Sequence, residues 1–590
     1  MSTSAPARAP AAAPAARPEA TFFHTDGRPR FGWVHRPAHA TGTALVIVPP
    51  FGYEAICAHR ALRHLAEAAA TAGLVAIRFD LDGTGDSAGD DLEPKRLDAW
   101  LASIDDACVL ARREGAERIV LAGIRLGAAL AAHAAMRRDD VVGLVAIAAT
   151  PTGKTWVREA RALQMQLGLA TPPPGVSLPP EDIHELVGFA LPAETRTQLA
   201  QTDLADPFRA QRRPAPEVLL VDRDDLPGND KWATALRGLG AEVEQVRLPG
   251  YVEMMLDPHR TVVPRAIIDA AVAFAAARPH TPAPAPPGEL AVAARAEIEV
   301  EGTSVTEELV AIDDCLVGVV SRLRAQPRRA VILLNSGAIH RVGPNRLYVL
   351  LARRLAARGD LVIRVDLSGI GDSRARRGAA DNVVYSDHAV ADVGAVVAWA
   401  RRQGVERVAV AGLCSGAYHA LKAAAAGQPI DTVVPINPLT FFYKLGMPLD
   451  FAAFQVAKDA ARYQKSVRSA DSWRKLLRGD VNVGRVARVV AERARSIAEH
   501  RAREALRRMR VPLRDDLGSE LYSLGRRGVH IHFVFAGDDP GRALLAEQGG
   551  SAVDRVRTLS IDVIPGPDHT FTPRWSHPLF LDAVARAVSG

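Results

Sequence analysis

The sequence predicts an α/β fold built twice, as two tandem domains that are each a mostly parallel sheet flanked by helices. Three observations predict it. Short β-rich runs alternate with helix-patterned ones, as in LVIVPP, HRALRHLAEAAATAG and LVAIRFD, which implies right-handed βαβ crossovers. A Pro/Ala stretch at 277–290, ARPHTPAPAPPGEL, has the composition of a linker. The segments on either side of it also match each other: ALVIVPPFG pairs with AVILLNSGA, and DLDGTGDS (80–87) with DLSGIGDS (366–373), at a constant offset of 286 residues. That period is far above the 20 to 50 residues, roughly, of stacked repeats, so whole domains are duplicated.

Taken in order, residues 1–20 form an Ala/Pro leader that cannot build a core and is expected to be disordered. Residues 21–276 form the first domain, 277–290 the linker and 291–590 the second domain. A chain of 590 residues, 48% apolar and 24% charged, fits two soluble cores better than one. No apolar run approaches the roughly 20 residues that span a bilayer, and the leader has no apolar signal region. The four cysteines form no CxxC pair, which is the usage of a reducing cytoplasm, and HExxH spacing is absent. No metal or cofactor is expected. The net charge of +6 is small for this length and does not argue for nucleic acid.

The chemistry lies in the turns. In the second domain the apolar run VERVAVAG breaks into Gly412-Leu413-Cys414-Ser415-Gly416 before a helix pattern. A strand running into G-x-nucleophile-x-G and then a helix is a nucleophile elbow, with backbone N–H groups at the helix start to bind an oxyanion. The first domain repeats the phrase with Arg125 at the central position, and a guanidinium is no nucleophile. In both halves the strand, the elbow and the D-x-x-G-x-G-D-S turn resemble the α/β-hydrolase superfamily. More narrowly, NSGAIHRVGPNR with GLCSGA resembles the first of two hydrolases associated with exosortase A systems, and GIRLGA resembles the second.

The resemblance implies a triad in the order nucleophile, acid, histidine. Cys414 takes the first role. The acid follows the strand HIHFVFAG, where Asp539 is preferred and Asp538 is the alternative. His569, in Pro565-Gly566-Pro567-Asp568-His569, takes the third. Such a histidine accepts the thiol's proton while the aspartate fixes its tautomer. The oxyanion hole should combine the N–H of Ser415 with one from Gly337 or Ala338, and His340 and Arg341 on that loop could touch the substrate. In the first domain, Glu253 stands where the histidine belongs. Arg125 and Glu253 are therefore expected to meet as a salt bridge plugging a degenerate site.

A long cap is expected over the second site, at residues 441–528. Its core, 451–510, carries 16 Lys/Arg against 6 Asp/Glu. That basic face suits an acidic partner such as an acyl carrier protein, coenzyme A or an anionic glycan. The leading expectation is a cytoplasmic acyl hydrolase or acyltransferase acting on an ester or thioester. The alternatives are a non-catalytic acyl- or glycan-binding protein and a serine-aminopeptidase-like peptidase.

Overall fold

The computed structural model describes residues 17–167, 171–178, 180, 182–204, 212–277, 290–444, 447 and 515–590. Most of the expected leader, linker and basic cap, and with them the proposed docking face, lie outside the described residues. The first strand begins at Glu19, two residues before the expected domain start. The helix Leu517–Arg526, inside the stretch expected to be cap, instead buries Leu517, Leu521 and Leu524 in the core of the second domain.

The two large sheets share the same strand order over eight of their nine strands. The first sheet runs Glu242–Leu248, Glu217–Arg223, Val141–Ile147, Arg118–Ile124, Thr43–Val48, Val75–Phe79, Arg30–His35, Glu19–His24 and Ala291–Ala293. Its first six strands are parallel and the rest antiparallel. The second sheet, read from the matching end, runs Leu559–Ile564, His530–Ala536, Thr432–Ile436, Arg407–Leu413, Arg329–Leu334, Leu361–Asp366, Val317–Arg322, Thr303–Ala311 and Arg295–Val300. Ala291–Ala293, beyond the linker, thus completes the edge of the first sheet, and the chain crosses to the second only at Arg295. Central strands such as TALVIV are buried along their whole length, because helices cover both faces. This is the α/β-hydrolase fold in tandem. Among the described residues no helix is long and apolar enough to cross a membrane.

The halves meet across their Gly-Asp-Ser turns. Arg364 of the second half pairs with Asp86 of the first, and Arg78 of the first donates to Asp372 of the second at 2.9 Å. These pairs are equivalent under the 286-residue offset, so the seam has the reciprocal form of a two-fold interface. Each turn closes on itself through its serine: Ser87 Oγ donates to the Asp80 carbonyl at 2.7 Å and Ser373 Oγ to the Asp366 carbonyl at 2.6 Å. Arg346 caps the first half's turn, donating to the carbonyls of Gly83, Gly85, Ser87 and Gly89 at 2.6 to 2.9 Å. Phe31 and Trp33 pack with Ala296 and Ile298 in an apolar cluster shared by both halves.

Candidate active site

The elbow is a tight crossing of strand and helix. Cys414 ends the strand Arg407–Leu413 and caps the helix Ser415–Ala425, with φ 60° and ψ −114°. That region costs an L-residue roughly 1–3 kcal/mol and persists only where surrounding packing enforces it. Here a Cβ on Gly412 would stand 2.5 Å from the Gly416 backbone, and one on Gly416 would stand 2.7 Å from the Asn335 carbonyl oxygen. Beneath the turn, the Leu413 N–H donates to the buried Tyr348 hydroxyl at 2.9 Å.

His569 approaches from the loop after the strand Leu559–Ile564. Its Nδ1 lies 2.6 Å from Asp539 Oδ2, and the Cys414 thiol stands near enough to the same ring to act on its charge. Burial pulls the imidazolium down, but Asp539 and Cys414 together push it up to about 10. Asp539 is buried and held by its own helix, its Oδ1 accepting from the Gly541 N–H at 2.8 Å. Asp538 is exposed and does not face His569 in this way. The structure brings together Cys414, His569 and Asp539.

Three expectations on the neighbouring loop need correction. Gly337 is not free for an oxyanion, because its N–H donates to Ser415 Oγ at 2.9 Å. The N–H groups of Ser415 and Ala338 remain as the candidate pair. His340 and Arg341 are taken up by the seam instead of a substrate. His340 is buried and stacks on His59 of the first half, 3.8 Å between ring centres. Arg341 is 2% exposed and pairs with Asp86, Asp366 and Asp372 at 2.7 to 3.0 Å.

The degenerate site is also plugged, but by other partners. Glu253 is exposed and is not the partner of Arg125. Arg125 instead pairs with Glu54 at 2.8 Å and with Glu159, which arrives on the helix Gly153–Leu167. Tyr251, two residues before Glu253, is buried beside the guanidinium. The turn at Gly250 therefore sends its tyrosine inward and its glutamate outward. Sequence position alone could not distinguish the two.

Asn437 is a site residue that sequence reasoning missed. It is fully buried, donates from Nδ2 to the His569 carbonyl at 2.7 Å and accepts the Ala536 N–H at 2.8 Å. It thereby ties the histidine loop to the end of the acid's strand. Its counterpart is Ala148, which keeps the same backbone (φ 46° against 44°) and the same hydrogen bond to the neighbouring strand, but not the amide. A comparison of the halves at this position carries that signal. Tyr385 was also missed. Its ring stacks on Tyr443 at 4.3 Å and meets Tyr418 edge-on at 5.2 Å, and its hydroxyl is pushed upward by burial and by nearby Cys414. Among the described residues no group of three or more His, Cys, Asp or Glu is arranged to hold a metal ion.

No protein-family profile matches the chain, and no curated protein matches it significantly. Solved structures do. A proline iminopeptidase of Mycobacterium smegmatis is 16% identical over 44% of this chain and 97% of its own, with a TM-score of 0.31. An esterase of Pyrococcus furiosus is 12% identical over 40% of this chain and 82% of its own, with a TM-score of 0.29. Est1E from Butyrivibrio proteoclasticus, solved with ferulic acid bound, is 16% identical over 43% and 98%, with a TM-score of 0.30.

Proposed function

We propose that the second half is an acyl hydrolase or acyltransferase working on an ester or thioester through Cys414, His569 and Asp539. One observation carries the reading: a single imidazole near the elbow cysteine has its Nδ1 2.6 Å from the buried Asp539 carboxylate. His569 takes the thiol proton on Nε2 while Asp539 steadies the imidazolium through Nδ1. The thiolate adds to the acyl carbonyl, and the oxyanion is received by the N–H groups of Ser415 and Ala338. Collapse breaks the bond to the leaving alcohol or thiol, which departs with the proton from His569 and leaves the acyl group on sulfur. Water, or an acceptor hydroxyl or thiol, then gives its proton to His569 and attacks the thioester. Collapse breaks the C–S bond, the Cys414 sulfur takes back the proton from His569, and the acyl group leaves as the free acid when water attacked or as the new ester or thioester when the acceptor did. The motif wording of this half, NSGAIHRVGPNR with GLCSGA, resembles that of the exosortase-associated hydrolases. The first half, with Arg125 at its elbow, does no such chemistry.

The test is a panel of aryl esters, acyl thioesters and aminoacyl peptides, assayed with wild type and Cys414→Ala, with mass detection of the acyl-enzyme. A mass increment on Cys414 that turns over supports the reading. Ligand retention by both proteins without turnover would favour a binding protein, and cleavage confined to the peptides would favour a peptidase.

A further inference from the structure

The loop that carries His569 is gripped by the other half of the chain. Arg574 reaches into the first half, where its Nη1 meets both carboxylate oxygens of Asp91, at 3.0 and 2.9 Å. The two side chains are only 11% and 10% exposed. Asp91 is itself fixed by the Ala190 N–H at 2.7 Å. Ala190 belongs to a hairpin, Ile183–Leu186 with Phe189–Pro192, whose two turn residues Val187 and Gly188 have φ of 50° and 84°. That tight turn presents nearly bare backbone to its neighbour.

The neighbour is the second half. A Cβ on Gly188 would stand 2.5 Å from the Asn345 side chain and 3.0 Å from the Thr572 carbonyl oxygen. Asn345, in the left-handed region at φ 52°, turns its amide to the carbonyls of Thr570 and Phe571 at 3.4 and 3.5 Å. On the other side of His569, a Cβ on Gly566 would stand 3.2 Å from Pro173 of the first half. First-half residues therefore touch this loop at positions 566, 572 and 574, on both sides of the histidine.

We infer that the first half is a positioning subunit fused in cis, and that Asp91 and the hairpin turn at Gly188 hold His569 in register with Cys414. The inference rests on the reading of His569 as the base. A misplacement of about 1 Å can cost around 100-fold in rate. Asn437 and Asp539 steady the histidine from within its own domain, and Asp91, Gly188 and Pro173 steady the loop from outside. None of these three touches a reacting atom.

The test uses the full-length chain with Asp91→Asn, Asp91→Glu, Gly188→Ala and His569→Ala. Deuterium uptake is read on the peptide spanning 565–576, and iodoacetamide labelling on the Cys414 peptide from about pH 5 to 9. Asp91→Asn and Gly188→Ala should raise uptake in that peptide. They should also slow Cys414 labelling at neutral pH by about tenfold or more, toward His569→Ala. Asp91→Glu, which keeps the carboxylate, should recover part of the rate. A looser loop or lower melting temperature with an unchanged Cys414 labelling profile overturns the inference and leaves the contact a matter of stability. A wild-type profile identical to that of His569→Ala sinks the base assignment itself and takes the inference with it, a failure visible before any clamp variant is compared.

Discussion

Arg125 and Cys414 stand on the same strained backbone, at φ 57°, ψ −120° and φ 60°, ψ −114°. Each also donates its N–H to the end of the neighbouring strand, Arg125 to Ile147 and Cys414 to Ile436. The interlocked glycines recur as well, Gly123 with Gly127 and Gly412 with Gly416. The elbow is thus a property of the strand–helix crossing. It survives when the side chain at its tip changes from thiol to guanidinium, and chemistry is separable from architecture at this one position.

Cys414→Ala and His569→Ala should each abolish turnover; Cys414→Ala should keep the unfolding free energy within about 1–2 kcal/mol of wild type, whereas His569→Ala should cost more at neutral pH, because it takes the partner from the buried Asp539 carboxylate. Cys414→Ser should also lose most activity, because a hydroxyl ionises far less readily than a thiol. Ser415→Ala should do less, loosening the Gly337 loop it holds. Turnover and denaturant melts on the four variants check this. If Ser415→Ala alone is dead, the nucleophile has been placed one residue too early.

Arg125→Ala should cost about 2 kcal/mol, below the roughly 3–5 of a fully buried pair because Glu54 and Glu159 keep part of their hydration. Glu253→Ala should stay within about 0.5 kcal/mol as an exposed change. A double-mutant cycle on Arg125 and Glu54 should show coupling, and one on Arg125 and Glu253 none. Coupling in the second cycle and not the first would reverse the assignment.

What was legible in the sequence follows from which interactions are local. Strand and helix alternation, the Gly-rich turns and the order of Cys414, Asp539 and His569 are written in short stretches, and comparing the halves separated scaffold from chemistry. The partner of Arg125 was not legible, because it depends on which of Tyr251 and Glu253 turns inward and on a helix, Gly153–Leu167, in the long stretch between the strands Val141–Ile147 and Glu217–Arg223, where no motif was read. His340 and Arg341 looked like substrate contacts because a loop beside a nucleophile usually faces solvent. Only the packing of one half on the other reveals that they are buried in the seam.

The raised histidine predicts a pH dependence of stability. His569 is held at about 10 in the fold against an ordinary value near 6.5. The folded state therefore binds the proton more tightly than the unfolded state. Its contribution is fully present below about pH 6.5 and is lost as pH rises through 10. Thermal melts of wild type and His569→Ala from pH 6 to 10 should show the wild type losing its advantage toward the alkaline end. Parallel curves would mean that the imidazolium is not stabilised by Asp539 and Cys414.

The seam makes the opposite prediction at acid pH. Arg341 neutralises a set of buried carboxylates, Asp86, Asp366 and Asp372, alongside Arg78 and Arg364. Asp372 would be raised by burial, yet Arg78, His59 and Arg341 hold it well below the usual range. Asp366 is raised by its burial despite Arg341. Arg341→Ala should strip one positive charge from this set and cost about 3–5 kcal/mol at neutral pH, the penalty for an uncompensated buried charge. The excess carboxylate can escape by taking a proton, and Asp366 and its counterpart Asp80, both already shifted upward by burial, are placed to do so. The proton-binding difference then makes the variant gain on the wild type as pH falls. Urea unfolding at about pH 7 and pH 5 should show a clearly smaller gap at the lower pH. A gap that stays constant or widens would mean the loss comes from packing of the long arginine side chain and not from its charge.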